Sequence, residues 1–204
     1  IEIGAMTTLR EIEVSPLLQR HFSGMLPLAA SGVAGVQVRN QATIGGTVAG
    51  RYGFSDLLCA LVAMDAEVEL YSVGKIPLEE YLQRKAGKEI VKKMILPAGK
   101  AVGAFRAVRN SAGDFALINV AVCHSGRGWR IAVGARPAVA RSARAAADYL
   151  NAGADVGPDE IARAAAMAAD EMSFGATMKT GAVYRKMVCP VLVKRAIEEV
   201  IACK

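Results

Sequence analysis

The sequence of 204 residues predicts an α+β protein. Three observations carry that prediction. Strand and helix patterns intermingle over residues 1–96. Three strand patterns with hairpin-length turns then follow, and three helical patterns complete the chain. Pro97-Ala98-Gly99-Lys100 interrupts the periodicity on both sides. It marks a boundary between a first unit, 1–99, and a second, 100–204. The second unit reads as a three-stranded antiparallel sheet with a helical bundle.

Residues 1–5 read as a short strand. Thr8 and Glu11 have capping-box spacing, so a helix starts there. Ser15-Pro16 breaks it, and 17–22 make a second helical turn. Residues 26–34 are apolar and small, a buried helix leading into a Gly-rich loop. Ser55 caps a helix whose apolar face is Leu57, Leu58, Leu61, Val62 and Met64. Alternation over 66–71 gives a strand, Pro77 opens a short helix to 84, and 89–96 form a further strand. Strands over 102–109, 115–124 and 128–135 are joined by Gly-containing turns. Helices are expected over 138–150, 158–172 and 183–203, with Pro190 kinking or restarting the last.

Composition sets limits. Apolar residues make up 53% and charged residues 22%, a balance that builds a core and excludes disorder. The net charge is +6. Its Lys and Arg residues are scattered, with few aromatics to stack bases, so no nucleic-acid partner is expected. A modest positive balance also suits an anionic dinucleotide. No apolar run reaches membrane-spanning length and no signal peptide opens the sequence, so no membrane association and a cytoplasmic location are expected. Cys59, Cys123, Cys189 and Cys203 form no C-x-x-C pair and lie in apolar stretches. They read as buried free thiols, with no metal or iron–sulfur site on this chain. His21 and His124 have no ligand-like partners nearby in sequence and read as surface or capping residues.

One stretch points to chemistry. Arg39-Asn40-Gln41-Ala42-Thr43-Ile44-Gly45-Gly46-Thr47 is followed shortly by Ser55-Asp56-Leu57. Without a Cβ at Gly45 and Gly46, a backbone can come close to a phosphate. Thr43 and Thr47 flank the pair with hydroxyls. Asp56 can accept hydrogen bonds from a ribose or from ring N–H groups. A Gly-Gly pair is also an ordinary turn, and an acid at a helix N-terminus also complements the dipole.

In this order, the RN-x-ATIGG loop and the Ser-Asp-Leu triplet resemble the FAD-binding subunit of the molybdenum hydroxylases. This is the family of the xanthine dehydrogenase and carbon monoxide dehydrogenase flavoproteins. The resemblance implies the second subdomain of a PCMH-type FAD-binding domain over 1–99. It implies a carbon monoxide dehydrogenase flavoprotein-like C-terminal domain over 100–204. The family's N-terminal subdomain, with its own Gly-rich loop, has no counterpart in these residues. The implied cofactor is FAD. Thr43, Ile44, Gly45, Gly46 and Thr47 match the loop whose backbone N–H groups face the phosphates, with Thr47 where the family has Asn. Asp56 matches a flavin-contacting Asp, and Val91 a backbone position touching adenine or ring. Arg106 resembles a basic residue that closes over the cofactor. Asp114 falls in the loop near the ring that can gate a nicotinamide. Tyr184-Arg185 matches a pair read as packing. No catalytic side chain is implied, since the flavin carries the chemistry. Electrons are expected to come from a molybdopterin subunit through [2Fe–2S] clusters on an iron–sulfur subunit. They would leave to NAD⁺ or another acceptor. Two alternatives remain open: a non-catalytic assembly subunit of such a complex, and a distinct nucleotide-binding protein.

Overall fold

The computed structural model describes residues 1–85, 87–153 and 155–203. Its first sheet has the order β1-β4-β2-β3, all antiparallel. The strands are β1 (Glu2–Gly4), β2 (Glu67–Leu70), β3 (Gly74–Pro77) and β4 (Val91–Ile95). Ile3 pairs with Met94, so the two ends of this half meet at one edge of the sheet. Between β1 and β2 run six short helices: α1 (Leu9–Val14), α2 (Pro16–Arg20), α3 (Met25–Ser31), α4 (Val36–Arg39), α5 (Ile44–Gly50) and α6 (Asp56–Ala63). The helix α7 (Leu78–Gln83) follows β3.

The second sheet is an antiparallel meander. It contains β5 (Ala101–Val108), β6 (Ile118–Ser125), β7 (Gly128–Gly134) and β8 (Arg141–Ser142). Three helices complete the chain: α8 (Arg144–Ala152), α9 (Pro158–Asp170) and α10 (Ala182–Ala202). Alternate residues of this sheet serve two cores, as the period of two requires. Ala104, Ile118, Val120, Val122, Ile131 and Val133 pack with α8, α9 and α10. Phe105, Ala121, Cys123 and Ala132 turn the other way and join the core of the first half. Both faces are covered, which explains the nearly unbroken apolar run of β6.

The helix α6 lies between the halves. All eight of its residues are buried, from Asp56 to Ala63. It packs on β6 and β7 on one side and on α3 on the other. Ser55 starts it by accepting a hydrogen bond from the Leu58 N–H at 3.2 Å. The capping box at Thr8 and Glu11 forms with both of its bonds.

Several elements differ from the sequence reading. The segment read as a Gly-rich loop is the first turn of α5, with Thr43 as its N-cap. The helix expected from 138 begins at Arg144, and β8 adds a short edge to the three long strands. The strand β3 was not expected, because Ile76 is its one buried residue. A tight turn with Gly74 at φ +82° folds it back on β2. After α2 the chain turns through Phe22, Ser23 and Gly24, all at positive φ. That strain is offset by burial of Phe22 beside β5, where Gly103 leaves room for it. Helix α10 runs through Pro190 without restarting. Its buried face, from Cys189 to Val200, is held by tertiary packing despite the lost bond. Cys59, Cys123 and Cys189 are buried free thiols, as expected, but Cys203 is exposed.

Leu61 is fully buried in α6. Leu61→Ala should lower stability by about 2–5 kcal/mol through lost burial and a residual cavity. Chemical denaturation reads this as a lower midpoint.

Candidate functional site

A cavity of about 160 Å³ opens at the N-terminal end of α6. Its walls include Thr47, Tyr52, Phe54, Asp56, Arg109, Asp114 and Phe115. Three aromatic rings form one side. Tyr52 stacks on Phe54 at 5.4 Å between centroids, and Phe54 meets Phe115 at 4.0 Å. Alone the cavity is smaller than the roughly 300–1,000 Å³ usual for ligand pockets. A second apolar hollow of about 460 Å³ shares Phe54 and Phe115 with it.

Asp56 is the chemical centre. The cap at Ser55 places it in the first turn of α6, only 3% exposed. Both carboxylate oxygens have partners from the second sheet. Asn119 Nδ2 donates to Oδ1 at 2.7 Å, and Arg109 Nη2 donates to Oδ2 at 2.5 Å. Two glycines leave room for this junction. A Cβ at Gly32 would lie 2.7 Å from Arg109 Nη2, and one at Gly134 would lie 2.4 Å from Asn119 Oδ1. Burial raises the Asp56 carboxyl above its ordinary value, opposed by the Arg109 charge and by the hydrogen bonds from Arg109 and Asn119.

Arg109 also donates through Nη1 to the Asp114 carbonyl at 3.1 Å. The Asp114 carboxylate accepts from Lys179, with which it forms an ion pair, and from the Phe115 N–H. Its pKa is lowered mainly by the Lys179 hydrogen bond. Lys179 sits on a turn anchored by Arg185. That buried guanidinium donates to the carbonyls of Leu117, Gly175 and Thr180 and to the Thr177 hydroxyl. The residue read as packing therefore fixes the turn that reaches the cavity rim.

The Ile44 N–H donates to the Thr7 carbonyl at 3.0 Å, and the Gly45 N–H to the Ala5 carbonyl at 2.9 Å. The Gly46 N–H donates to Thr43 Oγ1 at 3.2 Å, and the Thr47 N–H to the Thr43 carbonyl at 3.0 Å. Each of the four N–H groups expected to face phosphates is bonded within the chain. Gly45 is buried, and a Cβ there would lie 2.6 Å from Ala5 Cβ. Gly46 is exposed. What this turn can offer a ligand is the open backbone at Gly46 and the hydroxyl of Thr43.

Of the expected site residues, Thr47, Asp56 and Asp114 line one cavity. Thr43, Ile44, Gly45 and Gly46 lie on the turn that carries Thr47. Val91 and Arg106 do not line it. Val91 pairs with Leu70 in the first sheet and packs against its core. Arg106 lies on the opposite face of β5 and pairs with Glu199 of α10 at 2.6 Å. Arg109, Asn119 and Phe54 were missed. Alternation was the available signal for Arg109: it shares a face with Phe105, whereas Arg106 shares one with Ala104.

Residues 1–99 match the family profile of the FAD binding domain in molybdopterin dehydrogenase. Residues 103–200 match that of the CO dehydrogenase flavoprotein C-terminal domain. The chain belongs to the FAD-binding subunits of the molybdenum hydroxylase family. Its members are FAD-dependent oxidoreductase subunits. The nicotine 6-hydroxylase medium subunit of Paenarthrobacter nicotinovorans is 28% identical over 98% of this chain and 74% of that protein. The nicotinate dehydrogenase FAD-subunit of Eubacterium barkeri is 38% identical over 36% of this chain and 24% of that protein. Among solved structures, carbon monoxide dehydrogenase from Hydrogenophaga pseudoflava superposes with a TM-score of 0.89 at 26% identity. The match covers 98% of this chain and 75% of that one.

The cavity fits the ring system of a flavin in character. It is walled by aromatic rings and carries one convergent ionic junction. The N–H groups at Ile44, Gly45, Gly46 and Thr47 bond within the chain, and Gly45 is packed against Ala5. Gly45→Ala should therefore destabilise the fold by about 1–3 kcal/mol through overpacking against Ala5, with or without ligand. Gly46→Ala should cost clearly less, and thermal denaturation of the two ligand-free variants checks the difference.

Asp56 gives a pH signature of known sign. Its folded pKa is raised, so the folded state takes up this proton before the unfolded chain does. The contribution to stability rises as pH falls from neutrality towards about pH 4, the unfolded value of an aspartate. Asp56→Asn removes that gain. The stability difference, wild type minus variant, should grow as pH is lowered in denaturation series.

Proposed function

We propose that this chain carries FAD in the cleft between its two units, 1–99 and 100–204, within a multi-subunit molybdenum hydroxylase. The observation that carries the reading is the aromatic-walled cavity where Thr47, Asp56 and Asp114 meet. Bound FAD would supply two-electron redox chemistry, taking electrons from an iron–sulfur subunit and passing them to NAD⁺ or another acceptor. This chain's own residues bind and orient. Phe54 and Phe115 offer flat apolar surface to a ring. Thr43 presents a hydroxyl where a phosphate-bearing tail would pass, and the Thr47 hydroxyl, which donates to the Thr43 carbonyl at 3.1 Å, stiffens that turn. Asp56 and Arg109 set the charge at the cavity wall.

The partners are an iron–sulfur subunit and a molybdopterin-binding subunit, as in a hydroxylase whose medium subunit this chain resembles. The organic substrate is then a matter for the molybdopterin subunit. Among the described residues, no helix is long and apolar enough to cross a membrane. A cytoplasmic complex is the setting we propose.

The absorption spectrum of the purified full-length chain, with and without added FAD, tests this reading. A flavin band that persists through gel filtration and bleaches on reduction is expected. Absence of bound flavin at saturating FAD would overturn it. A non-catalytic assembly role would then be favoured, in line with the internally bonded N–H groups of the Gly-Gly turn.

A further inference from the structure

The Asp56–Arg109 pair has a consequence for the ligand, and this inference rests on the flavin reading above. We propose that Arg109 is a positioning residue of the flavin site: it fixes and charge-compensates the Asp56 carboxylate, so that a neutral pair faces the ring instead of a lone buried anion.

Four observations support this. Asp56 lines the cavity and is almost fully buried. Arg109 is the one cation among the described residues that line the same cavity. Its guanidinium bonds Asp56 Oδ2 through Nη2 and the Asp114 carbonyl through Nη1. Gly32 keeps the space that this guanidinium fills. Lys179 is already committed to Asp114 on the rim, so it does not replace Arg109 at Asp56.

Two-electron reduction of a flavin with uptake of one proton adds one negative charge to the ring. A lone carboxylate against that ring opposes the added charge, and a lone guanidinium favours it. A compensated pair does neither. Arg109 therefore acts on the cofactor through Asp56, by cancelling a charge that burial makes strong.

The experiment uses the full-length chain loaded with FAD, at about pH 8, well above the ordinary carboxylate range. The dissociation constants of oxidised and reduced FAD are compared for the wild type and four variants. Asp56→Asn is expected to shift the ratio of the two constants about tenfold in favour of reduced FAD. On a two-electron couple that is about 30 mV more positive. Arg109→Gln is expected to shift the ratio in the opposite direction. The double variant Asp56→Asn/Arg109→Gln should return close to the wild type, and Arg109→Lys should retain the wild-type ratio. If the single variants weaken both redox forms by the same factor, or shift the ratio in the same direction, the inference is overturned. If the full-length wild type binds no FAD in either form, the flavin reading itself fails, which is a different result.

Discussion

The fold turns on the placement of one carboxylate. Helix α6 buries eight consecutive residues between the second sheet and α3, and its first residue is an aspartate. Removing an isolated carboxylate from water carries a penalty of several kcal/mol even after relaxation. Arg109, just past the end of β5, and Asn119 on β6 offset it by binding one oxygen each. Apolar burial along α6 supplies the attraction between the halves, because it is large and non-directional. The polar junction supplies the register. Sliding α6 along the second sheet would strand Asp56 without a partner while leaving the leucines buried. The cavity exists because that register brings Thr47 and Asp56 against Asp114 and Phe115.

Other ionic contacts also cross between the halves, and their magnitudes rank below this one. Asp65, just after α6, pairs with both Arg127 and Arg130. Its side chain is 34% exposed, so solvent screens those pairs and each is worth about 0.2–1 kcal/mol. Asp65 adopts φ +58°, a left-handed conformation that Asp tolerates better than most residues. Glu79 on α7 is more protected. It accepts from the Ser142 N–H and hydroxyl and from Arg144, and these contacts outweigh burial to lower its pKa. Glu79 thus ties the start of α8 to the first half. Its stabilising contribution is lost in acid, the opposite sense to Asp56.

The sequence made local features legible and left the meeting of distant ones obscure. The capping box at Thr8 and the cap at Ser55 were readable because they need only residues three apart. The strands β5, β6 and β7 were readable from apolar runs and turn residues. The strand β3 was not, because its pairing with β2 rests on backbone bonds and one buried isoleucine. Asp56 and Asp114 were identified as site residues and line one cavity. Arg109 was not identified, because local pattern does not say which face of a strand meets which helix. That depends on where α6 and α10 dock. Asn119 was hidden for the same reason, since a polar residue in an apolar run gains meaning only from the carboxylate opposite it.

The two adjacent glycines illustrate how one motif can serve two physical needs. Gly45 is required by the fold, since the β1 end at Ala5 presses where its Cβ would be. Its N–H closes a bond to Ala5, whose own N–H bonds Lys92 beside β1. The turn is thereby welded to the first sheet, and its stiffness comes from strand pairing and not from a ligand. Gly46 is the exposed neighbour, where a Cβ would lie 3.2 Å from the Thr43 hydroxyl that caps the helix. A turn built this way presents a fixed, open backbone surface without spending its N–H groups on solvent. A ligand approaching it would meet a rigid edge with the hydroxyl of Thr43, since the Thr47 hydroxyl already donates to the Thr43 carbonyl. Additional donors would have to come from another segment facing this edge.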